Sequence, residues 1–181
     1  MIRKPLLLSS IFSLSVLLPI SMGLTDTNRR FPSEDGAFTA GPYYSSTTKS
    51  YFELIRNNGQ TWEEAQALAT AHKFKNTSGR LAVIDRPEVH RFLVGKFAFM
   101  QDTWIGLRFF CENSILVWTN GNSGKGSYFS NWSHTTQKTN LSCPETGYLY
   151  TFINENAFDW DLANWQKTAN YVLIEYPTGK K

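Results

Sequence analysis

The stretch YFELIRNNGQTWEEAQALATAHKFKNTSGRLAVI, residues 51–84, decides the fold class because its apolar periodicity changes twice along its length. Tyr51-Phe-Glu-Leu-Ile55 is aromatic and β-branched, with the turn residues Asn57-Asn58-Gly59 behind it, and reads as a strand. Thr61-Trp-Glu-Glu64 is a capping box: the threonine hydroxyl accepts from the Glu64 N–H, and the Glu64 carboxylate reaches back to the threonine N–H. A helix is predicted from that point. Trp62, Ala65, Leu68, Ala69 and His72 recur at helical spacing and give it one buried face. Leu81-Ala-Val-Ile84 then reads as a short buried strand.

Toward the C-terminus, Asp85-Arg-Pro-Glu88 signals a second helix, with Asp85 as its cap, Pro87 in its first turn and Val89, Phe92 and Leu93 as its apolar stripe. Beyond Trp104 the texture changes to short aromatic segments separated by Asn, Gly and Ser clusters: Trp104 to Phe110, Ile115 to Trp118, Tyr148 to Ile153, and Tyr171 to Tyr176. These read as strands and loops. Two early helices followed by a run of short strands make an α+β domain.

Toward the N-terminus, residues 24–42 (LTDTNRRFPSEDGAFTAGP) mix Pro, Gly, Ser and charges without apolar periodicity and read as an extended leader. Residues 1–23 have the three-part layout of a secretory signal peptide: basic Arg3 and Lys4, an apolar run from Leu6 to Ile20, and small residues at Ser21 and Gly23. The run is serine-rich and shorter than the roughly 20 apolar residues of a bilayer span, so cleavage after Gly23 is expected rather than anchoring. The expected product is secreted or periplasmic, with no stable membrane insertion. A formal charge of +3 falls to +1 once Arg3 and Lys4 are removed, which gives no electrostatic reason to bind nucleic acid. The 15% aromatic content excludes a disordered chain, and a mean hydropathy of −0.33 excludes a polytopic membrane protein.

Several segments in order resemble the C-type lectin-like domain. They are Thr61-Trp-Glu-Glu-Ala65, Gly79-Arg-Leu-Ala-Val-Ile84 with Glu88 just after, Trp104-Ile-Gly-Leu107, Val117-Trp-Thr-Asn-Gly121, Phe129-Ser-Asn-Trp132, the Asp159-Trp-Asp161 region and Tyr171-Val-Leu-Ile-Glu-Tyr176. The resemblance spans residues 43–177 and leaves 178–181 as a tail. It implies two helices flanking small antiparallel sheets, with a long loop region carrying the ligand site. By that likeness Trp62, Trp104, Trp118 and Trp160 are core residues, while Trp132 and Trp165 fall near or in the loop half.

The resemblance also shows departures. The family's bridge from first helix to last strand falls on Ala69 and Ile174, so it is absent here. The cysteines present are Cys111 and Cys143, which either pair, as is usual in an exported domain, or stay as two buried thiols. Sugar-binding members of the family hold Ca²⁺ with a Glu-Pro-Asn or Gln-Pro-Asp triplet, a further glutamate and a Trp-Asn-Asp run. Here the loop after Trp132 carries no such triplet and no carboxylate before Glu145, and the run reads Trp160-Asp161-Leu162. Calcium is therefore disfavoured as a cofactor, with Glu145, Asp159, Asp161 and Asn164 as a weaker oxygen set.

Catalysis finds no support: His72, His90 and His134 lack metal-ligand spacing, His90 reads as a surface residue, and no nucleophile or phosphate-loop motif occurs. Asn76, Asn131 and Asn140 open glycosylation sequons that matter only in a eukaryotic secretory route. The leading reading by resemblance is a secreted, non-enzymatic module that binds carbohydrate or glycoconjugate without calcium. Its expected contacts are Trp132, Gln137, Asn140, Glu145, Asp159, Asp161 and Asn164, with amides and carboxylates bonding hydroxyls and Trp132 stacking on the sugar ring. The alternative keeps the fold and gives it a cell-surface protein as partner, as an adhesion or host-surface factor.

Overall fold

The computed structural model describes residues 39–124, 129–134, 136, 142–155 and 158–181. In chain order its elements are β1 (Thr39–Ser45), β2 (Ser50–Gln60), α1 (Trp62–Ala71), β3 (Lys73–Phe74), β4 (Thr77–Ser78) and β5 (Arg80–Leu81). They continue with α2 (Pro87–Lys96), β6 (Thr103–Phe110), β7 (Ile115–Trp118), β8 (Ser123–Gly124), β9 (Tyr148–Ile153), β10 (Trp160–Ala163) and β11 (Ala169–Tyr176). The α+β reading holds, with two helices against one branched sheet and a separate β3–β4 ribbon.

β1 opens at Thr39, inside the stretch read as leader, and pairs antiparallel with β2. β2 does not end at Asn57. Asn58 and Gly59 take positive φ values of 56° and 78°, and the register against β11 shifts between Ala169 and Tyr171. Asn and Gly tolerate that conformation, so the turn residues are absorbed as a bulge that bends a longer strand. β11 runs antiparallel to β2 from Ala169↔Gln60 to Tyr176↔Tyr51 and parallel to β6 at Val172↔Trp104. The first and last long strands thus meet at the centre of the sheet.

Alternation along these strands feeds two apolar layers. Phe52, Leu54 and Leu173 face the layer beneath α2, while Ile55, Val172 and Ile174 face the layer that holds α1. Trp62, Trp104, Trp118 and Trp160 are all buried, as the family resemblance implies. The capping box of α1 forms in full, and Trp62 Nε1 donates to the Ile105 carbonyl at 2.8 Å. Ala69 and Ile174, the positions without the expected bridge, are fully buried on either side of Gly79. A Cβ on Gly79 would lie 2.5 Å from the Ala69 carbonyl oxygen and 2.6 Å from Ile174 Cγ2, so close approach of helix and strand replaces the covalent link. Gly106 of the Trp104–Leu107 motif has the same origin, since its Cβ would meet Thr119 Oγ1 at 2.5 Å.

Two local expectations are corrected. Of Leu81–Ile84 only Leu81 belongs to a strand, although all four residues are buried. The backbone here bonds outside a ladder: Ala82 N donates to Leu173 O, and Val83 N donates to Glu175 Oε2. Asp85 does not cap α2. The cap position is Arg86, with no side-chain capping bond, while the Asp85 carboxylate accepts from Arg86 Nε at 3.0 Å. A neighbouring guanidinium is the stronger partner for a carboxylate than a backbone N–H. Pro87 does open the helix.

Cys111 and Cys143 form a disulfide with Cα atoms 6.0 Å apart. It ties the end of β6 to the turn before β9, where Cys111 N also donates to Gly147 O at 3.0 Å. Among the described residues no helix is long and apolar enough to cross a membrane.

Candidate ligand site in the loop half

β9 and β10 form an antiparallel pair in which Ile153 faces Trp160 and Phe152 faces Asp161. Continuing that register by one residue sets Asn154, just past β9, across from Asp159, just before β10. Asn154 N donates to Asp159 O at 2.8 Å and closes the turn. The Asn154 amide then reaches both acids: Nδ2 donates to Asp159 Oδ1 at 2.7 Å and to Asp161 Oδ2 at 2.9 Å. Only the NH₂ end of an amide can sit between two carboxylates, because its oxygen would be repelled by both.

The other Asp161 oxygen accepts from Ser133 Oγ at 2.7 Å, and Ser133 Oγ in turn lies 2.9 Å from Thr136 Oγ1. Backbone bonds fix this loop to β10, with Trp160 N donating to Asn131 O at 2.7 Å and Ser133 N donating to Trp160 O at 2.9 Å. Asn131 Nδ2 donates to Phe158 O at 2.9 Å and holds the residue before Asp159. The result is a half-buried network in which amide and hydroxyl hydrogens meet the acidic oxygens.

Trp132 is half-buried and packs edge-on against Trp160, with ring centroids 5.7 Å apart. Trp118 and Phe129 approach Trp160 in the same way, so Trp132 belongs to a cluster around a fully buried indole. The exposed indole of this half is Trp165, at 49%. It follows Asn164, an exposed residue whose Oδ1 accepts from Gln166 N at 3.0 Å. His90, read as a surface residue, is half-buried. Its ring lies 5.3 Å from Phe129, and burial pushes its imidazole below the ordinary value.

Glu145 stands apart from these groups. It is exposed in the turn before Tyr148, whereas Asp161 pairs with Phe152 near the far end of β9. Roughly 15 Å of strand separates those ends at about 3.3 Å per residue. The combination of Glu145 with Asp159 and Asp161 is therefore not assembled, and no group of three or more His, Cys, Asp or Glu that could hold a metal ion forms among the described residues. Gln137 and Asn140 lie outside the described residues.

Sequence reasoning missed Asn154, Ser133 and Thr136. Asn154 had a signal: an amide one residue beyond a strand, facing two acids that alternate along the returning strand.

No protein-family model matches the chain, and no curated protein sequence does. Solved structures do. The cow CD23 carbohydrate-recognition domain, determined in the presence of a GlcNAc2Man3 oligosaccharide, superposes with a TM-score of 0.51 at 19% identity, covering 70% of this chain and 87% of that one. The lectin CEL-I of Cucumaria echinata gives 0.52 at 15% identity, over 70% and 89% of the two chains. Human lithostathine gives 0.54 at 13% identity, over 87% and 97%. At such identities the likeness is one of architecture, and on that ground the chain folds as a C-type lectin-like domain.

Proposed function

We propose that this chain is an exported, non-catalytic module that binds carbohydrate or glycoconjugate through the loop half without calcium. The observation that carries the calcium-free reading is the Asn154 amide between Asp159 and Asp161. Ca²⁺ needs roughly six to eight oxygen donors, and here the acidic oxygens already accept hydrogens from Asn154 and Ser133. The exposed Trp165 beside Asn164 supplies what a sugar needs instead: an aromatic face for the C–H surface of the ring and an amide for a hydroxyl. Export rests on the signal-like residues 1–23 and on a disulfide that suits an oxidising compartment.

Glycan-array binding with and without EDTA is the test, using the parent chain, Trp165→Ala and Trp132→Ala. Chelator-independent binding that Trp165→Ala abolishes at unchanged melting temperature is the expected result. Trp132→Ala should instead lower the melting temperature, because it opens the cluster around Trp160. Binding lost on adding EDTA would overturn the calcium-free reading. Intact-mass analysis of the exported protein should find Leu24 first.

The alternative, a module that docks on a cell-surface protein, is favoured by one feature. A network whose carboxylates are satisfied internally leaves few acceptors for sugar hydroxyls. An array without any hit, beside saturable binding to whole cells that protease pretreatment of the cells removes, would select it.

A further inference from the structure

Five separate parts of the chain wall a cavity of about 250 Å³ that shares no residue with the loop-half site. The turn between β1 and β2 contributes Thr48, β5 contributes Arg80, the approach to α2 contributes Asp85 and Arg86, and the turn after β7 contributes Asn120. Glu175 of β11 forms part of the wall, at 2% exposure.

The acidic side chains of this wall are occupied. Glu175 Oε1 accepts from Ser50 Oγ at 2.8 Å, and Oε2 accepts from Arg80 Nε at 3.0 Å and Val83 N at 3.2 Å. Both Asp85 oxygens accept from Arg86, at 3.0 Å and 3.5 Å. Asn120 Oδ1 accepts from Asn122 N at 3.0 Å. What its arginines and Asn120 have left to offer is donors. The Nη groups of Arg80, Nη1 of Arg86 and Nδ2 of Asn120 have no hydrogen-bond partner among the described residues, and the buried Thr48 Oγ1 has none either.

Two features select the ligand. A guanidinium presents a planar edge of paired N–H groups that matches a carboxylate, and Arg80 is held in place because its Nε is fixed on a buried acid. The two arginines are balanced by Glu175 and Asp85, so the wall has no surplus charge with which to hold a multiply charged anion. A single negative charge on a small polar body fits both. We propose that this cavity is a second binding site, which takes the carboxylate of an acidic sugar such as a uronic acid. It goes beyond the loop-half reading and does not depend on it.

The experiment titrates the full ¹⁵N-labelled chain with methyl glucuronide and with methyl glucoside, which differ at the carboxylate alone. Saturable shifts of the Arg80 Nε–H and Asn120 side-chain amide signals are expected with the glucuronide. The glucoside should bind about tenfold or more weakly, the factor for a lost charge-assisted bond. Asn120→Ala keeps every partner of Glu175 and Asp85 and should weaken the glucuronide about tenfold or less at unchanged melting temperature. Arg86→Ala should weaken it as well and also lower the melting temperature, because it strips Asp85 of its guanidinium. Arg80→Lys keeps the charge and loses the planar edge, and should weaken it as well. Equal binding of the two sugars, no shift at all, shifts confined to Trp165 and Asn164, or tighter binding of glucose 6-sulfate would overturn the assignment. A chain that fails the glycan array yet shows these shifts loses the loop-half reading alone, and the converse result removes this site alone.

Discussion

Glu175 and the Asp159–Asp161 pair place the same chemical group in two regions of one domain, and the regions neutralise it by different means. Glu175 is almost wholly enclosed and answers to the Arg80 guanidinium of β5, the Ser50 hydroxyl of β2 and the Val83 N–H just after β5. It joins β11, β5 and the irregular Val83 stretch. The two aspartates are only half-buried, and the amide of Asn154 and the hydroxyl of Ser133 donate to them. A buried anion demands a cation because its desolvation is expensive. A half-exposed pair keeps enough water that amide and hydroxyl dipoles suffice. One region is therefore a structural clamp, and the other stays adjustable.

Removing the cation should give the largest effect. Arg80→Ala leaves Glu175 buried and unpaired, for a loss of about 3 kcal/mol, the low end for breaking a buried pair because Arg80 keeps some water contact. Glu175→Gln in the same background should recover part of that loss, since a neutral amide is cheaper to bury. Urea midpoints of parent, single and double variant decide it. A double variant no more stable than Arg80→Ala would show that the guanidinium acts by packing and not by charge.

Removing the amide should cost less and behave differently. Asn154→Ala lets two carboxylates face each other without a donor between them, at about 1–2 kcal/mol for charge-assisted bonds in a partly wet site. Salt at 1 M, where the Debye length is about 3 Å, should restore much of this by screening the repulsion, and should leave the Arg80→Ala loss nearly unchanged. Asn154→Asp sharpens the contrast: a third acid turns the network into an oxygen cluster, so millimolar Ca²⁺ should raise the melting temperature of this variant and not of the parent. Salt rescue of equal size in both regions would erase the distinction between them.

The clamp region was legible because its determinants are local or repeat at a fixed period. Thr61 and Glu64 define a helix start three residues apart, and the alternation along β2 and β11 sends side chains to two faces whatever the partner strands are. Where two local signals compete, the tertiary setting decides. Asn57–Gly59 reads equally as a turn or a bulge until β11 is known to continue alongside, and Asp85 turns to Arg86 instead of the helix. The loop half was legible in its residues but not in their grouping. Asp159 and Asp161 were identified, yet Glu145 was joined to them because sequence does not reveal that β10 pairs back along β9, which sets Asp161 opposite Phe152 and leaves Glu145 beyond the other end of the strand. Asn154 was passed over because an amide becomes informative only once its neighbours are seen to be acids.

The smallest predicted effect belongs to His90, which leans on the same Trp160 that anchors the aspartate loop. Burial against Phe129 and Trp160 lowers its folded pKa, so the unfolded chain takes up a proton more readily than the folded one. Stability is then complete above about pH 6.5, the unfolded value, and is lost as pH falls through the lowered folded value. One histidine contributes at most about 1.4 kcal/mol per pH unit, and a half-buried ring should give less than about 1 kcal/mol in total between pH 7 and 5. His72 and His134 remain in a His90→Phe variant, so the change in the stability gap between parent and variant over that range isolates His90. The comparison of regions adds a spatial requirement: the acid-induced opening should expose the Trp160 and Ser133 amides to hydrogen exchange, corrected for intrinsic rates, before the Val83 amide on Glu175. A gap that stays constant with pH, or a Val83 amide that opens together with the other two, would mean that the loop half and the clamp unfold as one unit.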